Sequence, residues 1–195
     1  MPPLLPITQA LLLANVAMFC LMNFVNLSLL ALWPLGGGFQ PWQLVTYAFL
    51  HGGFGHLFFN MLGLWMFGSE LEGLWGPKRY LQFYFASVLT AAGAQLAMAA
   101  ATGAIYPTVG ASGGLFGLLL AFGMTFPNRT IVPLIPPIPM PAKVFVAIYG
   151  GLELLLGVTG TQSGVAHFAH LGGMLGGWLM IRYWRGQAPF GSRRR

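Results

Sequence analysis

Gly110-Ala111-Ser112-Gly113-Gly114 heads an apolar run that continues to Phe126. A serine inside an apolar helix is ordinary. A serine between glycines, where irregular chain becomes helix, is less so. Small neighbours let another backbone or a ligand approach closely, and the first turn of a helix carries N–H groups with no partner inside the helix. The reading therefore turns on whether other residues can make Ser112 a nucleophile.

Composition sets the solvent. Of 195 residues, 56% are hydrophobic and only 6% are charged, whereas about a quarter of a soluble domain is charged. Such a chain cannot cover itself with polar surface, which predicts an all-α integral membrane protein of one domain. Cys20 is the single cysteine, so no internal disulfide is available, and we expect it to be buried and inert. The start, Met1-Pro2-Pro3-Leu4, has no basic stretch, which argues against a cleaved signal peptide.

Apolar runs predict six spans at about 7–32, 54–75, 79–101, 111–126, 142–158 and 165–185, the fourth short and central. All lysines and arginines then fall on one side: Lys78 and Arg79, Arg129 and Lys143, and Arg182, Arg185 and Arg193–Arg195 with the basic tail 186–195. Basic loops stay in the cytoplasm, so both termini are expected there, with the tail touching anionic lipid and not nucleic acid. The long first loop, 33–53, carries Trp33, Phe39, Trp42, Tyr47 and Phe49, and is expected to be partly embedded as a re-entrant hairpin.

This topology brings polar residues to one depth. Ser112 opens span four from the extracytoplasmic side, while His170 lies early in span six and His56 and Asn60 early in span two, both entering from that side. Each sits within about 10 Å of that interface. His56 and Asn60, four apart, share a helix face. Gly113 and Gly117, and the pairs Gly172–Gly176 and Gly173–Gly177, have the spacing that lets membrane helices approach closely, so spans four and six are expected to pack through them. The chain has no aspartate, and Glu70 and Glu72 lie at the far end. A Ser-His-Asp set is excluded, which leaves a Ser-His dyad with the imidazole oriented by packing. His170 would take the proton of Ser112, and the Ser112 N–H, His56 and Asn60 would hold the oxyanion.

At these residues the sequence resembles the rhomboid intramembrane serine proteases. The resemblance runs from Trp42 to Trp184 and rests on His51, His56 and Asn60, on Gly110-Ala111-Ser112-Gly113, and on Ala169-His170-Leu171-Gly172-Gly173. It implies a six-helix bundle with a wet cavity below the extracytoplasmic surface. It also implies cleavage of transmembrane substrates near the membrane boundary, without metal or cofactor. Ser112 matches the nucleophile, His170 the base, and His56 and Asn60 the oxyanion positions. Two departures stand out. Trp42-Gln43 replaces the usual Trp-Arg of the first loop, which puts that loop's polar contacts in doubt. Phe116 replaces a tyrosine that stacks on the histidine, keeping the ring and losing the hydroxyl.

Blander readings compete. His51 is read as pinning the loop to span two. His167, one turn before His170, is the rival base. Four histidines without a cysteine pair have poor zinc spacing. Gly110–Gly114 also fits the Gly-x-Ser-x-Gly elbow, but no strand or soluble sheet surrounds it. Of the carboxylates only Glu153, in span five, can approach the site; contact with the site and a hydrogen bond across spans while protonated are its two readings, and the second is favoured because the dyad does not require it. Two other classes of function remain as rivals. A rhomboid-like membrane-protein binder would lack nucleophile or base, and a transporter would line a path with charges. Access is expected past span five, loosened by Gly150, Gly151 and Gly157, for a single-span substrate unwinding at small or helix-breaking residues. A bacterial inner membrane is the expected location.

Overall fold

The computed structural model describes residues 3–134, 136–160 and 166–189. Expectations for Arg193–Arg195, for residues 161–164 and for a span start at 165 lie outside the described residues. Six helical segments dominate. They are α1 (Pro6–Leu21), a continuous segment made of α3 (Phe54–Gly63), a π-helical turn (Leu64–Gly68) and α4 (Ser69–Trp75), then α5 (Pro77–Thr102), α6 (Ser112–Thr125), α7 (Ala142–Thr159) and α8 (His167–Trp184). By length and composition α5 and α7 are each long and apolar enough to cross a membrane.

Local chemistry sets the ends. α1 starts on Pro6, whose fixed φ and missing N–H suit a first turn. It stops at Leu21, well short of the expected limit at 32. There the Asn23 side chain donates to the carbonyls of Phe19 (3.0 Å) and Cys20 (3.3 Å), ending the helix. Cys20 is exposed and not buried as expected, because it lies on the outer face of this peripheral helix. Gly76, at φ 77°, turns the chain so that Pro77 can open α5.

The first loop contains α2 (Gln43–Thr46), flanked by 3-10 turns at Ser28–Leu30 and Tyr47–Phe49. Gln43 is fully buried and makes the loop's polar contacts despite its lack of charge. Its Oε1 accepts from the N–H groups of Trp33 and Gln40, both at 3.1 Å, and its Nε2 donates to Leu29 O at 3.0 Å. A single amide thus satisfies three backbone groups that burial would otherwise strand.

α8 packs on α5 and α6, and glycines permit it. A Cβ on Gly173 would stand 1.9 Å from Gly113 O, and one on Gly177 3.1 Å from Gly117 O. Gly172 and Gly176 face α5 instead, where a Cβ would meet Thr90 O at 2.8 Å and Thr90 Oγ1 at 1.9 Å. Gly173 thus serves α6, Gly172 and Gly176 serve α5, and Gly177 meets both, since its Cβ would also stand 2.7 Å from Phe83 Cζ on α5. At the other end of the bundle Trp75, Phe83 and Trp184 cluster, with Arg79 over the Trp184 ring. Arg129 pairs with Glu70 there. Between α6 and α7, a two-residue antiparallel ladder pairs Thr130 with Pro141 and Ile131 with Met140.

Glu72, 3% exposed, joins α4 to the start of α1. Its Oε1 accepts from the Ile7 N–H (2.9 Å), and its Oε2 from the Thr8 N–H (2.7 Å) and hydroxyl (2.8 Å). Truncation to Ala strands two N–H groups of the first helical turn. Glu72→Ala is expected to lower stability by about 1–3 kcal/mol, read by unfolding in detergent, whereas Glu70→Ala at the exposed pair should cost under about 1 kcal/mol.

Candidate active site

The end of the bundle opposite the Arg79–Trp184 cluster holds the residues singled out by the sequence. Ser112 is the first residue of α6 and His170 lies in the first turn of α8. The glycine contact between α6 and α8 brings them together, and His170 Nε2 stands 2.8 Å from Ser112 Oγ. Phe116, one turn along α6, lies parallel to the imidazole with ring centroids 4.3 Å apart and planes 5° apart. That ring fixes the plane of the histidine, so rotation away from Ser112 would require moving a packed phenyl group.

Gly110 is demanded twice over at the entry to α6. Its φ of 132° lies where L side chains are strained, and a Cβ would stand 2.8 Å from His56 Nε2. The segment before Ser112 is tied down by partners that sequence reasoning missed. Gly110 N–H donates to Tyr47 O (3.0 Å), and the Tyr47 hydroxyl donates to Val88 O (2.9 Å). Leu32 and Thr108 exchange two backbone hydrogen bonds, coupling the first loop to the approach to Ser112. Tyr47 had been noted only as a loop aromatic; its burial depends on contacts remote in sequence.

His56 and Asn60 share the inner face of α3 and line the same cavity as Ser112 and His170. Gly52 N–H approaches His56 Nδ1 at 3.4 Å, which assigns the ring proton to Nε2, the nitrogen turned to Gly110. Asn60 Nδ2 donates to His56 O (2.8 Å), leaving its second amide hydrogen uncommitted. The Ser112 N–H, at the head of α6, has no intrahelical acceptor. His51 is 1% exposed and packs edge-on against His56, centroids 5.0 Å apart. Burial, and then the neighbouring His56, push its pKa down to about 4, so it is a neutral packing element beneath His56.

Glu153 does both of the things expected as alternatives: it hydrogen-bonds across helices and contacts the site, reaching from α7 to both histidines of α8. Its Oε2 is 2.6 Å from His167 Nδ1 in an aligned hydrogen bond. The same oxygen is 2.8 Å from His170 Nδ1, lying aside from that ring's N–H direction. The sequence placed Glu153 within reach without deciding which way it pointed, because its direction depends on how α7 docks on α8. His167 is thereby occupied by the carboxylate and stands one turn from Ser112's partner. These three residues are a possible metal cluster by residue type. Their ligand-type atoms lie within 4.8 Å of one another, and the two contacts to Glu153 Oε2 are closer than the about 3.3 Å between ligands of a tetrahedral zinc.

The site opens into a cavity of about 1270 Å³. Phe58, Phe59 and Met66 line it from the α3 side, Phe145 and Tyr149 from α7, and Tyr106 from the loop before Ser112. It can admit an extended apolar segment alongside a few convergent polar groups.

A helical bundle of this build, with the serine at the head of a central helix, defines a class. The chain belongs to the rhomboid family, whose members are membrane-embedded; the Rhomboid domain model matches residues 38–186. It is 33% identical over 144 residues to Rhomboid protease GluP of Bacillus subtilis, covering 71% of this chain and 25% of that protein. It is 33% identical over 148 residues to the mitochondrial Rhomboid protein 1 of Saccharomyces cerevisiae, covering 70% and 40%. With Rhomboid protease GlpG of Yersinia pestis it shares 29% over 186 residues, 92% of this chain and 62% of that one. The chain thus spans from a quarter to under two thirds of the length of these relatives.

Proposed function

We propose that this protein is an intramembrane serine endopeptidase that cleaves transmembrane substrates near the extracytoplasmic boundary. The observation that carries the reading is the 2.8 Å approach of His170 Nε2 to Ser112 Oγ. In this reading His170, neutral, accepts the hydroxyl proton as Oγ attacks the scissile carbonyl. The tetrahedral oxyanion takes hydrogen bonds from the Ser112 N–H, the His56 Nε2–H and the Asn60 amide. The imidazolium returns its proton to the leaving amine, and water repeats the cycle on the acyl-enzyme. No metal or cofactor enters these steps. Serine-directed fluorophosphonate labelling that vanishes in Ser112→Ala and His170→Ala, with substrate cleavage in proteoliposomes verified by product mass, supports this reading. Binding of a membrane protein without labelling or cleavage refutes it in favour of a rhomboid-like binder.

The whole chain forms one domain in this reading. The six helical segments cross the bilayer, and both termini are cytoplasmic because Lys78, Arg79, Arg129, Lys143, Arg182 and Arg185 gather at one end. A bacterial inner membrane fits such a chain. Substrate enters sideways between the α3 segment and α7, past Phe59 and Tyr149. α7 suits movement, with only 17% of its apolar window buried against 44% for α5. A short cross-linker joining Phe59→Cys to Tyr149→Cys, in a Cys20→Ser background, is expected to reduce cleavage of a membrane substrate at least 10-fold while sparing fluorophosphonate labelling. Unchanged cleavage would place the entrance elsewhere.

A further inference from the structure

We propose that Glu153 is a positioning residue for the base, so that the working set is Ser112–His170–Glu153 with His167 as the clamp that holds the carboxylate. This rests on the protease reading above. Three observations carry it. Ser112 Oγ and Glu153 Oε2 flank the two nitrogens of one imidazole, each at 2.8 Å. The aligned 2.6 Å bond from His167 Nδ1 fixes that same carboxylate oxygen. The carboxylate is largely buried, its side chain 13% exposed, and among the described residues these two rings are its ion-pairing partners.

The chemistry follows from the tautomer. A carboxylate oxygen beside Nδ1 holds the His170 proton there, because the other tautomer would set a lone pair against a negative charge. Nε2 is then left bare toward Ser112 and accepts the hydroxyl proton. When it does, the ring carries a positive charge next to Glu153, an attraction stronger than in water because lipid and protein exclude solvent. The resting contact is off the N–H axis; catalytic hydrogen bonds commonly straighten only once the charge develops. The proton itself never moves to Glu153. It passes from Ser112 Oγ to His170 Nε2 and then to the leaving amine. His167 donates its Nδ1–H to the carboxylate, giving the charge a partner while His170 is neutral. Because Glu153 rides on α7, the base is fully supported only when α7 is docked on α8.

The test uses the full chain reconstituted in bilayers, with Glu153→Gln, Glu153→Asp and His167→Asn beside the parent. His56 on α3, Tyr149 on α7 and Tyr106 in the loop before Ser112 line the same cavity as His170 and are unchanged in these variants. Glu153→Gln is expected to lower kcat about 10²–10³-fold, with KM within about threefold. Glu153→Asp should recover at least a tenth of the parental kcat, and His167→Asn should fall between the two. Nitrogen NMR of labelled histidine should place the His170 proton on Nδ1 in the parent and redistribute it in Glu153→Gln. A Glu153→Gln variant with parental kcat and tautomer overturns the proposal. If Glu153→Gln does not fold, Glu153→Asp and His167→Asn carry the same comparison, and parental kcat and tautomer in both overturn it. If the parent shows no serine-dependent cleavage, the protease reading fails, and an unchanged His170 tautomer in the variants independently rejects the positioning role.

Discussion

Ser112→Ala and His170→Asn are each expected to abolish cleavage, by roughly a millionfold in kcat, on the order of 8 kcal/mol of transition-state stabilisation. The two losses should not add. Ser112 without a base is a weak nucleophile, and His170 without the hydroxyl has no proton to accept, so the double variant should equal either single one. Substrate binding should persist, because the cavity walls of α3 and α7 remain. A remainder of about 10³-fold over water is the expected signature of the oxyanion donors alone. His167→Asn, by contrast, leaves the 2.8 Å contact between Ser112 and His170 standing. An inactive His167→Asn variant with an active His170→Asn would exchange the roles assigned to the two histidines.

The second large effect belongs to a residue that touches no substrate. Gly173→Ala puts a methyl group 1.9 Å from Gly113 O. Backbone lies on both sides of that contact, so no side chain can swing aside. The helices must part by more than 1 Å, and overpacking of this kind costs about 1–3 kcal/mol or more. Because Gly113 follows Ser112 and Gly173 lies one turn after His170, the parting opens the 2.8 Å contact as well. Gly173→Ala is therefore expected to lose both thermal stability and at least 100-fold in activity, a loss set by misplacement of the reacting groups. Gly151→Ala is the control. A Cβ there meets nothing within 4 Å, and alanine favours a helix, so stability should hold or rise by about 0.5–1 kcal/mol. Equal behaviour of the two variants would reject the packing argument.

Particular residues show how far sequence reasoning reached. The Gly113/Gly117 and Gly173/Gly177 spacings pointed to a close contact between two helices, and the coordinates have that contact. The adjoining pair Gly172/Gly176 was read the same way, yet serves α5, since side-by-side positions on a helix point about 100° apart. Phe116 was read as a ring for the histidine and lies flat on it. Gln43 left the loop's contacts open, and its buried amide supplies them. The end of α1 was missed, because Asn23 halts the helix through side-chain bonds that apolar periodicity does not register.

Composition and the alternation of apolar runs with basic loops pointed by themselves to a membrane-embedded helical chain, and the motifs around His56, Ser112 and His170 carried the resemblance to the rhomboid family and nominated its polar centre. These are one-dimensional properties: solvent preference and helical period are carried by each segment alone. The tertiary structure alone decided where Glu153 points, which histidine makes an aligned hydrogen bond to it and which glycines meet which helix. Those outcomes depend on the rotation and depth at which α7 and α6 dock on α8, and packing between helices sets these, not the period within any one of them.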